Sequence, residues 1–112
     1  MNDSESSVNH LRAVVALSER MKEVGVAIYE HHYYSLVFGS WTIVAGRRKE
    51  RVKITWDGRD GHLNYSEALF PDSSYSPKPD EWIQKKNEGI DLQEQATAYQ
   101  KAERYLLQKY SV

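Results

Sequence analysis

The feature that most constrains this chain is the placement of its six glycines and three prolines, because each falls where the hydrophobic period changes. Through residues 8–24 the apolar side chains Val8, Leu11, Val14, Leu17, Met21 and Val24 recur every three or four positions, the period of an amphipathic helix. Ser6 or Ser7 is placed to cap that helix, and residues 1–6 are expected to be flexible. Gly25 then supplies the left-handed residue on which many helices end.

Beyond Gly25 the period drops to two. Val26, Ile28, Tyr34, Leu36 and Phe38 share one parity as far as Gly39-Ser40, which predicts a long first strand. Trp41, Ile43 and Ala45 alternate in a second strand, residues 46–50 form a charged turn, and Val52, Ile54 and Trp56 alternate in a third. Asp57-Gly58-Arg59-Asp60-Gly61 is the strongest turn signal, with two glycines able to take positive φ beside aspartates that bond the turn backbone. Leu63 and Tyr65 open a fourth strand that fades by Phe70.

Residues 71–80 hold all three prolines and read as a crossing loop. Asp80 is positioned to cap a short helix over residues 81–88, with Trp82 and Ile83 turned inward and Gly89 closing it. Asp91 and Glu94 have capping-box spacing ahead of a final helix whose stripe is Leu92, Ala96, Tyr99, Ala102 or Glu103, Leu106 and Tyr110. The expected fold is therefore α+β: an N-terminal helix, a four-stranded antiparallel meander, a proline-rich loop, a short helix and a long C-terminal helix. The helices should cover the sheet face that carries Ile28, Leu36, Trp41, Ile43, Ile54, Trp56 and Leu63. At 112 residues the chain is expected to form a single domain.

Composition narrows the function. A formal charge of −1 excludes the strongly basic character of general nucleic-acid or anionic-membrane binders, and the absence of cysteine excludes disulfides, thiolate metal sites and cysteine nucleophiles. The opening MNDSESS is acidic and polar, unlike a secretory leader, and no apolar run reaches the ~18 to 20 residues of a membrane span, so a soluble cytoplasmic protein is expected.

Four constellations carry the possible chemistry. Glu30-His31-His32 interrupts the apolar parity of the first strand: either the strand bulges and turns Glu30 and His32 to solvent, or the two enter a polar ligand pocket with Trp56. His31, His62, Asp57 and Asp60 are the conceivable metal ligands, but their spacing matches no metal motif, and neither metal nor cofactor is expected. Arg47, Arg48, Lys49, Arg51, Lys53 and Arg59 against Glu50 and Asp57 make residues 47–59 net +4, a basic hairpin suited to single-stranded nucleic acid with Tyr29, Tyr33 and Thr55 beside it. The acidic segment 60–81 complements that hairpin, within one molecule or head to tail between two copies in a homodimer.

Catalysis has little to build on. Glu50 and Lys53 lack a second carboxylate in the preceding strand for a metal-dependent nuclease, and no Gly-x-Ser-x-Gly turn, phosphate loop or dinucleotide fingerprint occurs. Eight tyrosines and three tryptophans suit a protein interface, with Tyr105 off the helical stripe and exposed. The sequence therefore points first to a non-catalytic protein-binding module of the inhibitor, immunity or adaptor type. Tyr33, Arg48, Lys53 and Tyr75 represent its contacts on the wet sheet face and the proline loop.

Overall fold

The computed structural model describes residues 3–69 and 81–110; Phe70, Tyr75, the proline-rich loop and the Asp80 cap lie outside the described residues. The chain runs α1 (Asp3–Lys22), β1 (Ala27–Tyr34), β2 (Ser40–Gly46), β3 (Glu50–Asp57), β4 (His62–Leu69), β5 (Ile83–Gly89), a 3-10 turn (Leu92–Thr97) and α2 (Ala98–Tyr110). Among the described residues the strands are antiparallel neighbours in the order β1-β2-β3-β4-β5, giving five strands where four were expected.

α1 begins at Asp3, so residues 3–6 belong to the helix and neither Ser6 nor Ser7 caps it. Its buried side is His10, Val14, Leu17 and Met21, while Val8 and Leu11 are exposed. The expected stripe slipped because it was built on steps of three, and each such step falls about 60° short of a full turn. Over residues 17 to 8 that error reaches half a turn and swaps Val8 for His10 as the inward side. The C-terminus ends as expected: Gly25 takes φ +73°, its N–H donates to Lys22 O (3.1 Å), and the Val26 N–H donates to Met21 O (3.0 Å). This is the paired bonding of a Schellman motif, with Val26 buried.

β1 is shorter than its apolar parity suggests and ends at Tyr34, followed by a turn over residues 35–39. A bulge interrupts it: Ile28 faces Ala45 and Glu30 faces Val44, leaving Tyr29 as the extra residue. One inserted residue inverts the faces of everything after it. His31 opposite Ile43 and Tyr33 opposite Trp41 thus join the helix-covered face, and Glu30 and His32 turn to solvent. Leu36, placed on the core face by parity, is instead 87% exposed in the turn.

The core lies between one sheet face and the two helices. Trp41, Ile43 and Ala45 of β2, Val52, Ile54 and Trp56 of β3, and Leu63 and Tyr65 of β4 are buried against Val14, Leu17 and Met21 of α1 and Ala98, Ala102, Leu106 and Tyr110 of α2. Each large side chain so buried contributes roughly 1.5–3 kcal/mol. Alanines at 98 and 102 let α2 sit close to the sheet, where the Tyr99 ring stacks on Trp41 at 4.6 Å.

The segment expected to be a short helix is β5, paired to β4 from His62 opposite Gly89 to Glu67 opposite Ile83. Gln, Lys and Glu favour a helix locally, but the open edge of β4 offers a full ladder of backbone hydrogen bonds, and pairing wins over propensity. Lys85 and Lys86, exposed on this edge strand, discourage further strand addition. Asp91 does cap the next element: its carboxylate accepts from the Gln93 N–H at 2.9 Å. That element is the 3-10 turn, so Leu92 and Ala96 are exposed and the buried stripe starts only at Ala98.

Candidate functional site

Two hairpin ends meet at one edge of the molecule and fix the shape of the β1–β2 turn. The turn is closed by Val37 N–H to Tyr34 O and Ser40 N–H to Val37 O, both 3.0 Å. Ser40 Oγ in turn accepts from the Gly58 N–H at 2.9 Å, tying this turn to the one after β3. Gly58 is required there for close approach: a Cβ at that position would lie 2.1 Å from Phe38 O. The other turn folds as its sequence predicts, with Asp57 Oδ1 accepting from the N–H groups of Arg59 (2.9 Å) and Asp60 (3.1 Å), although of its two glycines only Gly61 takes positive φ.

The outcome is an uncharged apolar tip. Leu36, Val37 and Phe38 follow one another and are 87%, 51% and 63% exposed. Phe38 holds φ +57°, a left-handed conformation that is uncommon for a bulky side chain. Below the tip opens a cleft of about 350 Å³ whose aromatic walls are Tyr33, Phe38, Trp41, Trp56 and Tyr99. Its remaining lining, including Ser6, Asn9, Ser35 and Gln95, carries no charge.

His10 stands behind these walls. Its ring stacks on Tyr33 at 4.9 Å and touches His31 (5.5 Å), Tyr99 (5.8 Å) and Trp41 (6.5 Å). Nδ1 shares a 2.7 Å hydrogen bond with the Tyr99 hydroxyl, and Nε2, fully buried, has no partner among the described residues. Burial, reinforced by the proximity of His31, pushes the imidazole down to about 4, so it is neutral at physiological pH. Burial also raises the Tyr99 hydroxyl, with Tyr33 adding to the effect.

A second polar cluster fastens α2 to the sheet. Glu67 accepts from the Tyr105 hydroxyl and from Lys109 Nζ (2.8 Å), and Lys109 also lies 3.4 Å from Glu50. Tyr105, expected at the surface, stacks on Tyr65 at 4.2 Å because its side of the helix faces the β4 carboxylate. Burial pushes the Glu67 carboxyl up, but the Lys109 and Tyr105 hydrogen bonds more than reverse this and hold it below its ordinary value. Replacing Lys109 with methionine should therefore cost about 2 kcal/mol at pH 7 by leaving a largely buried carboxylate underpaired. The check is urea unfolding across pH: the gap from wild type should close as acid protonates Glu67, and a gap that persists in acid would assign the loss to packing instead.

The residues singled out from sequence are scattered. Tyr33 lines the cleft, Arg48 is exposed at φ +55° in the β2–β3 turn at the far end of the hairpin, and Lys53 lies on the open sheet face with its Nζ 4.5 Å from the Trp82 ring. Tyr75 is outside the described residues. Of the basic hairpin, Arg47 is tied inward, donating to Val24 O at 3.1 Å and lying over Tyr110. Arg51 is buried, donates to the carbonyls of Arg48 and Glu50 at 2.8 Å and covers Tyr29 at 3.8 Å. Arg48 and Lys49 are separated from Arg59 by the eight residues of β3, which span roughly 25 Å.

Glu30 and His32 are exposed on the sheet face opposite Trp56, so these three are not brought together. The helix-covered face is instead joined by the half-buried Tyr33 and the exposed His31, through the bulge, and by the buried His10, which the expected apolar stripe passed over. His31 and His62 also lie on opposite faces, and no group of three or more potential metal ligands occurs among the described residues. No described helix is long and apolar enough to cross a membrane. Compared with known proteins, the chain matches no protein-family model, no curated protein and no solved structure, so its own geometry is what bears on function.

Proposed function

We propose that this domain is a non-catalytic binding module that docks another protein through the β1–β2 tip. The observation that carries the reading is the unbroken exposure of Leu36, Val37 and Phe38. Three consecutive apolar side chains in water serve no purpose in an isolated fold, since such runs are selected against unless a partner covers them. Hydrogen bonds to Tyr34, Val37 and Gly58 hold the tip in one shape, so little conformational entropy is lost on binding. With no charge in residues 35–39, attraction comes from desolvation, and the fitting partner offers a concave apolar surface.

The alternative, single-stranded nucleic acid on the basic hairpin, has less support. Arg47 and Arg51 are engaged within the fold, and the rings of Tyr29 and Trp82 are already covered by Arg51 and Lys53. Bases would have to displace those cations in order to stack.

A photo-crosslinking side chain at position 37, compared with one at exposed position 104, separates the possibilities. In native lysate position 37 should give a discrete adduct that excess wild-type protein removes and excess Leu36→Asp/Val37→Asp protein does not. Equal adducts from both positions would overturn tip docking. Adducts that vanish with nuclease or with rising salt would move the site to Arg48, Lys53 and Arg59.

A further inference from the structure

The concave apolar surface that the tip requires is present on this chain itself. At the start of β1, beside α1, lies a groove of about 490 Å³ whose apolar walls are Val15 of α1 and Val26, Ala27 and Ile28 at the entry to β1. Tip and groove stand at opposite ends of β1, whose eight residues span roughly 25 Å, so the tip cannot fill its own groove. A second copy can supply it.

β1 carries the geometry for that exchange. Among the described residues it pairs with β2 alone, so its outer edge offers unpaired backbone groups to another strand. The far edge, β5, is guarded by Lys85 and Lys86, whereas residues 27–34 contain no lysine, arginine or proline. The bulge at Tyr29 interrupts the strand near its start and leaves residues 30–34 as a regular run centred on His32.

Pairing that whole run antiparallel with its own copy places a two-fold axis at His32, with Glu30 opposite Tyr34 and His31 opposite Tyr33 of the second copy. Two positions beyond this ladder, Leu36 begins the tip in one copy while Ile28 begins the groove in the other. The axis repeats the contact at the opposite end.

α1 adds an apolar strip on the same side. Val8, Leu11 and Val15 are 43%, 48% and 55% exposed, and at ~100° per residue they fall within about 60° of one another around the helix. Val15 belongs to the strip and to the groove wall, so the strip borders the β1 edge. Of the eleven large apolar side chains exposed among the described residues, eight lie in α1, β1 and the tip, which marks this edge as the one that needs cover.

We propose that the partner of the tip is a second copy of this chain, joined by antiparallel pairing of the two β1 strands about a two-fold axis at His32, each tip seated in the other copy's groove. This rests on the tip-docking reading above and names its partner.

Light scattering on purified wild-type protein at pH 7.5 should give twice the chain mass. Leu36→Asp/Val37→Asp, in the tip, and Val15→Glu, in the groove, should each weaken the dimer by about 100-fold or more, because the axis makes every substitution remove two contacts. All three positions are exposed, so the fold is preserved. Mixing the tip variant with the groove variant should restore part of the dimer, since one intact tip then meets one intact groove. The chain has no cysteine, so an introduced thiol reports on a single position. Directly opposed residues have Cα atoms about 4.5–5.5 Å apart, within the ~4.4–6.8 Å that a disulfide spans. Mild oxidation should therefore link His32→Cys into a dimer far faster than Lys85→Cys, on the opposite sheet edge.

A protein that stays monomeric when pure, yet gives the position-37 adduct in lysate, would overturn the second copy as partner and leave tip docking standing. A monomer without that adduct would overturn both. A dimer that survives either substitution, that mixing does not restore, or that cross-links as readily at position 85 would overturn the arrangement.

Discussion

Gly58→Ala should cost about 3 kcal/mol of stability, far more than one methyl group usually does. The new Cβ would fall 2.1 Å from Phe38 O, 3.0 Å from Phe38 C and 3.4 Å from Ser40 N, all backbone atoms that no rotamer change can clear. One of the two turns must move, and the Gly58 N–H to Ser40 Oγ bond breaks with it. Gly25→Ala is the control. Gly25 has φ +73° and open space where its Cβ would go, so it should lose only the left-handed penalty of ~1–2 kcal/mol. Urea unfolding of both variants checks the contrast. Equal losses would mean that the two turns separate freely and that the tip is not held from beneath. If the contrast holds, Gly58→Ala should also abolish tip crosslinking without any change to Leu36, Val37 or Phe38.

Acid should destabilise the protein well before its carboxylates titrate. His10 is pushed from an ordinary value of 6.5 to about 4 in the folded state, so the unfolded chain binds a proton more readily than the folded one. The sign follows: the contribution is complete above about pH 6.5, is lost as pH falls toward 4, and is constant below that. At ~1.4 kcal/mol per pH unit, the full loss is about 3 kcal/mol. The titratable groups facing His10 are His31 and Tyr33 from β1 and Tyr99 from α2, and the neighbouring His31 adds to burial in disfavouring the charged imidazole. Glu67, held below its ordinary value, also loses its contribution in acid, but only below about pH 4.5, where carboxylates begin to protonate. Thermal melts from pH 7.5 to 4 should fall steadily in wild type and stay nearly flat to pH 5 in His10→Phe. A flat wild-type curve would mean that the imidazole takes up its proton as readily in the folded state as in the unfolded one.

What the sequence disclosed was local. Gly25 and Val26 announce a Schellman ending because the motif is written within six residues, and Asp57 announces its turn for the same reason. Alternation in β2 and β3 survives because Trp41, Ile43, Ile54 and Trp56 face a continuous dry layer. What stayed hidden depended on partners remote in the chain. β5 is a strand because β4 has an open edge, which nothing within Ile83–Gly89 records. Tyr105 left the helical stripe yet found Glu67, so the side of a helix that a stripe leaves out was not the side facing water.

The candidate site follows the same division. Glu30-His31-His32 flagged the break in parity, and the bulge at Tyr29 explains it, but which pair then turns inward depends on where the extra residue sits. Leu36 and Phe38 read as strand residues because they are apolar and of matching parity. A turn of five residues made the same hydrophobicity a surface feature. His10 could have been found by stepping the helix back from Met21 in sevens, which gives Val14 and then residue 7, with His10 on the intermediate turn.

The order of the strands also has a kinetic consequence. Every strand pairs with its predecessor, so the sheet can assemble by successive closures of short loops between β1 and β4, each with a small entropic barrier. The contacts that span the chain are those of α2, from Tyr99 to His10, Glu103 to Arg20 and Lys109 to Glu67. Docking α2 against α1 closes the longest loop in the fold, so it is expected to be the slowest step of folding, and until it is made Trp41 and Trp56 lack the cover that α2 gives them.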